Sequence, residues 1–128
     1  MIVFVRVSIG IVLLAHGLVH LLYLAPDVPE FTFDRPWLVP EAARRPLGLA
    51  LVAASVAGFA LVALAVWGVP GLSAAWPVLT VVGGLLSAAL LVAFWNNALV
   101  AGIAIDAALI LIALLRPPWA EQLISGAA

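Results

Sequence analysis

Four apolar stretches, at roughly residues 2–25, 46–69, 75–95 and 98–116, each supply the ~20 mainly apolar residues that cross a bilayer as a helix. A chain of 128 residues has too little interior to hide four such stretches from water, so their solvent must be lipid. Composition agrees: 67% of the residues are hydrophobic and 9% charged, against about 25% charged in soluble domains. The expectation is one all-α transmembrane domain over 1–128, an up-down four-helix bundle with the N and C termini on the same side. A polar, proline-rich loop spans 26–45, and two short turns complete the connections.

The partition has internal support. The apolar run from Val78 to Leu115 is too long for one span and must fold back, and only Asn96-Asn97 lies between the third and fourth stretches. Asn tolerates the left-handed conformation that ends helices, so this pair is expected to turn in that way. Gly68-Val69-Pro70-Gly71-Leu72-Ser73 forms an uncharged turn rich in helix breakers. Trp37, Trp67, Trp76, Trp95 and Trp119 all fall at or just beyond span ends, where indole N–H groups stay wet, and Tyr23 closes the first span in the same way. The loop carries Pro26, Pro29, Pro36 and Pro40, with Pro46 directly after it, and Pro40–Arg45 is expected to form only a short interfacial turn before the second span.

Several function classes are excluded. Net charge is −1 without a basic run, which argues against nucleic acid as a partner and against a polybasic lipid clamp. Without cysteine there is no disulfide, thiolate or Fe–S chemistry. A secretory signal is a poor reading of the N-terminal segment, since its only positive residue is Arg6 and Pro26 would follow the cut, so a retained helix is expected. Orientation is undecided: Arg6 and Arg116 face the termini side, while Arg35, Arg44 and Arg45 face the loop side. Arg6 and Arg116 are expected to snorkel to lipid headgroups.

The informative residues are His16, His20 and Asp106. A central Asp costs about 2.5–3.5 kcal/mol on insertion, and ten Leu, Ile and Val residues from Leu99 to Leu115 return about 3–6 kcal/mol, so the fourth helix still spans. His16 and His20 are four apart and share a helical face, which Tyr23 extends. At 1.5 Å per residue His16 lies about 13 Å below the end of the first span, and Asp106 lies equally far below Asn97. Polar groups at one depth in hydrocarbon are expected to meet, since an unpaired one costs several kcal/mol. A His16–Asp106 contact across adjacent first and fourth helices is therefore expected, with His20, about 7 Å below the loop surface, continuing a polar path to Asp27, Glu30 or Asp34. Small residues in the second span (Ala54, Ser55, Gly58) and the third (Gly83, Gly84, Ser87, Ala88) read as helix contacts, and Ala98, Gly102 and Asp106 share one ridge of the fourth.

The first span, Arg6-Val7-Ser8-Ile9-Gly10 followed by Ala15-His16-Gly17-Leu18-Val19-His20-Leu21, resembles the opening of small four-helix bacterial membrane proteins of the DoxX-like kind. Those proteins place an Arg, a Gly and then a Gly-containing polar segment in helix one. The resemblance covers the first span and the four-span layout. It implies a multi-pass protein of the bacterial cytoplasmic (inner) membrane, accessory to quinone-linked redox chemistry.

Three function classes stay open beside a purely structural one, in which the polar residues only rivet helices together. His16, His20, Tyr23 and Asp106 line a pocket for a quinone-like or lipid-like molecule, in a protein that serves as an accessory subunit. Alternatively, the chain is a proton-coupled transporter, similar to the small multidrug resistance transporters in size and span number, with histidines where those carry an acidic residue. Or it is an acid/base enzyme of isomerase or cyclase type, with His16 as base and Asp106 as orienting partner or acid. A metal or haem site matches in ligand type only, because His-x-x-x-His lacks the Glu of a metalloprotease helix. Partners under these readings are membrane lipids, further copies of the chain, or a larger membrane complex.

Overall fold

The computed structural model describes residues 1–34 and 37–125. Arg35 and Pro36, both assigned to the loop, lie outside the described residues. Within them the regular structure is all helical. Four helical stretches are long and apolar enough to cross a membrane: Ile2–Leu24, Glu41–Val66, Trp76–Ala93 and Asn97–Leu115. We call the α-helices α1 (Ile2–Leu18), α2 (Glu41–Val66), α3 (Trp76–Ala93), α4 (Val100–Leu115) and α5 (Pro118–Ser125). The first stretch is completed by a 3₁₀ segment, Val19–Leu24, and a 3₁₀ turn, Asn97–Leu99, leads into α4.

The element boundaries depart from the expected ones for local reasons. Helix α2 begins at Glu41 and runs through Pro46, so residues 41–45 are its first turns rather than a separate interfacial turn. Pro46 is the sixth residue of that helix and forfeits one amide bond near its start, a smaller loss than a proline in mid-helix. The turn before α4 is not left-handed. Asn96 is extended (φ −140°, ψ 144°) and its side chain accepts the amide of Ala98 at 2.8 Å, so it starts the next helix as an N-cap. Left-handed backbone sits instead at Gly68, Gly71 and Arg116. Arg116, at φ 47°, turns the chain into α5, a helix not expected, and its Nε donates to Glu121 Oε1 at 2.7 Å. That exposed ion pair holds the Arg116 guanidinium above its ordinary pKa through the hydrogen bond and charge of Glu121.

Helix α1 packs on α2, α2 on α3 and α3 on α4, whereas α1 and α4 do not approach closely backbone to backbone. Gly58 faces Gly83 so closely that a Cβ on Gly58 would lie 3.2 Å from the Gly83 Cα. Small residues are what permit that approach. Trp67 Nε1 donates to Val7 O (3.4 Å), Tyr23 Oη to Phe94 O (3.3 Å) and Trp37 Nε1 to Val92 O (2.8 Å). Trp76 departs from an interfacial anchor: it is buried in an apolar cluster with Leu13, Phe59, Val66 and Ile124, and its Nε1 has no partner among the described residues. A second cluster gathers Tyr23, Phe33, Val52, Leu90, Phe94 and Leu99. Along each helix, the polar residues of the next section fall between these two clusters in sequence.

Candidate intramembrane site

The first requirement of the sequence reading is met geometrically. His16 Nε2 lies 2.8 Å from Asp106 Oδ1, with the Asp106 side chain fully buried and that of His16 nearly so. The contact bridges the α1–α4 seam, where the helices stand apart, rather than a packed interface. Side chains as long as His and Asp can span that gap; the aliphatic residues beside them leave it open.

Ser87 joins the pair. Its Oγ lies 2.6 Å from Asp106 Oδ2 and 2.7 Å from His20 Nε2. The other nitrogen of His20, Nδ1, meets Gly17 O at 2.9 Å. The result is an unbroken chain: Gly17 carbonyl, His20, Ser87, Asp106, His16. Ser87 had been read as a small packing residue. Depth could have identified it, since it lies eight residues before Trp95, or about 12 Å at 1.5 Å per residue, level with His16 and Asp106.

Phe59 of α2 fixes both imidazoles. Its ring meets His16 edge to face (4.8 Å between centroids, 88°) and lies nearly parallel to His20 (6.3 Å, 13°). Gly17 makes this possible, because a Cβ there would fall 2.6 Å from Phe59 Cβ, an atom that cannot swing away. Gly17 therefore supplies both the carbonyl that orients His20 and the space for the ring that wedges it.

Two expected members take other parts. His20 is wholly enclosed and turns both nitrogens to Gly17 and Ser87, so it does not continue the path to Asp27, Glu30 or Asp34. The 3₁₀ tightening begins at Val19, two residues after Gly17, whose carbonyl His20 engages. Tyr23 shares the histidine face in sequence but stacks with Phe33 (5.2 Å, 4°) and lines a separate, more polar cavity of about 910 Å³ with Asp27, Asp34, Glu41, Arg44 and Arg45. Among the described residues, no three His, Asp or Glu side chains converge as metal ligands would.

A second cavity, of about 380 Å³, lies in the α1–α4 seam and is bounded by Val12, Ala15, His16, Leu91, Gly102 and Ile105 among others. Its walls are almost entirely apolar. Of the two histidines that border it, His20 has both nitrogens engaged by protein. His16 Nδ1 has no hydrogen-bond partner among the described residues, and His16 is one of the residues that border the cavity. A pocket of this size with one polar atom on an apolar wall has the makeup of a small-molecule site. No family model, curated protein or solved structure matches this chain.

Proposed function

We propose that this chain is a multi-pass membrane protein that binds a lipid-like or quinone-like molecule in its hydroxyl-bearing (quinol) form in the α1–α4 seam, with His16 Nδ1 as the hydrogen-bonding anchor. The observation that carries the reading is the pairing of an apolar cavity of about 380 Å³ with one free imidazole nitrogen whose ring is locked from behind by Asp106. A rivet between helices needs neither the cavity nor the spare nitrogen. The bundle is up-down with both termini on one side, an arrangement supported by contacts that join Val7 to Trp67 and Tyr23 to Phe94. The bacterial cytoplasmic membrane and an accessory role in quinone-linked redox chemistry follow from the resemblance of the first span.

Protein purified from its own membranes in mild detergent, then extracted with organic solvent, should release about one apolar molecule per chain by mass spectrometry. Ala15→Phe, which fills the cavity, and His16→Leu, which removes the anchor, should both lose it. Wild-type protein that releases only bulk phospholipid, in the same amount as both variants, would reject the reading.

A further inference from the structure

The hydrogen bonds of the site fix more than its shape, because each contact needs one proton. Gly17 O only accepts, so His20 Nδ1 carries a proton. The Ser87 hydroxyl owns one proton and has two close partners, His20 Nε2 at 2.7 Å and Asp106 Oδ2 at 2.6 Å. It gives to one and accepts from the other. If Ser87 gives to Asp106, His20 Nε2 must carry a proton, and an imidazolium faces a carboxylate through the hydroxyl. If Ser87 gives to His20, Asp106 Oδ2 must carry the proton, and both groups are neutral. The two arrangements have the same net charge and differ by the shift of two protons along the chain.

Both arrangements have one consequence at the far end. An uncompensated charge is costly in hydrocarbon, which favours a site of zero net charge; Asp106 Oδ1 then has no proton in either case, and the 2.8 Å contact with His16 is made by a proton on His16 Nε2. His16 then has a bare Nδ1, and the cavity presents a hydrogen-bond acceptor. We propose that the His20–Ser87–Asp106 chain holds His16 in its Nε2–H form, so that the cavity selects a molecule bearing a hydroxyl over one of the same shape bearing only an ether or carbonyl oxygen. Ser87 is the positioning residue of this device, acting through Asp106. The inference rests on the cavity reading for its ligand but not for its proton arrangement. The groups that face one another are His16 and His20 from α1, Ser87 from α3 and Asp106 from α4, with the uncharged Phe59 from α2.

Solid-state NMR of ¹⁵N-histidine-labelled full-length protein in bilayers reads each ring nitrogen as protonated or bare without any ligand. His16 should show a protonated Nε2 and a bare Nδ1, and His20 a protonated Nδ1. Asp106→Asn should leave His20 Nε2 bare, because the amide N–H₂ donates to Ser87 and forces the hydroxyl proton toward His20. The wild-type His20 Nε2 signal tells the two arrangements apart; where that nitrogen is protonated, Asp106→Asn should strip its proton in Ser87→Thr, which keeps the hydroxyl, but not in Ser87→Ala. A merely structural Ser87 would not produce that difference. The ligand arm compares 2-naphthol with 2-methoxynaphthalene, which share a ring system and differ in the O–H. The naphthol should bind about tenfold tighter and perturb His16 Nδ1. A wild-type His16 with a protonated Nδ1, or equal binding of the two probes, overturns the inference. If neither probe binds while His16 shows the Nε2–H form, the proton arrangement is upheld and the cavity reading of the preceding section is what fails.

Discussion

The α2–α3 seam and the α1–α4 seam join helices within one bundle by opposite means. At α2–α3 two glycines meet, Gly58 against Gly83, and dispersion between closely spaced backbones holds the helices. At α1–α4 the backbones stand apart, and a hydrogen bond from His16 to Asp106 crosses a gap that also holds a cavity. A seam closed by packing loses contacts as soon as it opens. One bridged by a few polar atoms can admit a guest without breaking its bridge. In hydrocarbon, where apolar helices gain little from burying one another, this contrast separates the face of the bundle that is fixed by packing from the face that holds a cavity.

The contrast breaks most severely at the packed seam. Gly58→Leu would force side-chain atoms into the Gly83 backbone, and about 3 kcal/mol of stability should be lost, as measured by reversible unfolding in mixed micelles. A loss under ~1 kcal/mol would mean that the seam is not closely packed. Asp106→Leu should come next, at about 2 kcal/mol, because it strips His16 Nε2 of its partner and Ser87 of one of its two. Asp106→Asn keeps a hydrogen-bonding group in place and should cost about 1 kcal/mol or less while removing the site's carboxylate. Equal stability of the Leu and Asn forms would remove the polar bridge from the account. The smallest effect belongs to the open seam. Ala15→Phe adds a ring to an exposed position on the cavity wall, and stability should stay within ~0.5 kcal/mol of wild type while the extracted molecule disappears.

The difference between the seams also separates what the sequence made legible from what it did not. Four spans followed from apolar runs, and His16 and Asp106 were matched by depth alone, because helix rise is constant and isolated polarity in lipid is costly. Depth does not report rotation about a helix axis. His20 was therefore assigned to the loop side, when its ring turns inward to Ser87 and Gly17. Ser87 was masked by its size, since a small residue beside Gly83 and Gly84 serves packing and hydrogen bonding equally well, and only the neighbouring helices decide between them. Tyr23 was placed with the histidines by spacing measured as a continuous α-helix. The change to 3₁₀ from Val19 alters that spacing and carries the phenol to the aromatic cluster of Phe31, Phe33 and Phe94. Pro46 and Asn96 misplaced boundaries because each residue has two structural uses, and the surrounding chain selects the other one.

The central claim is that His16 and Asp106 are energetically joined across the open seam, and a double-mutant cycle measures this directly. Wild type, His16→Leu, Asp106→Leu and the double variant would be unfolded under identical conditions in bicelles. The account predicts that the two single losses are not additive, with a coupling of about 0.6–1.7 kcal/mol, the range of polar pairs in membrane helix bundles. Losses that add to within ~0.3 kcal/mol would show two independent residues and contradict the bridge on which the site is built.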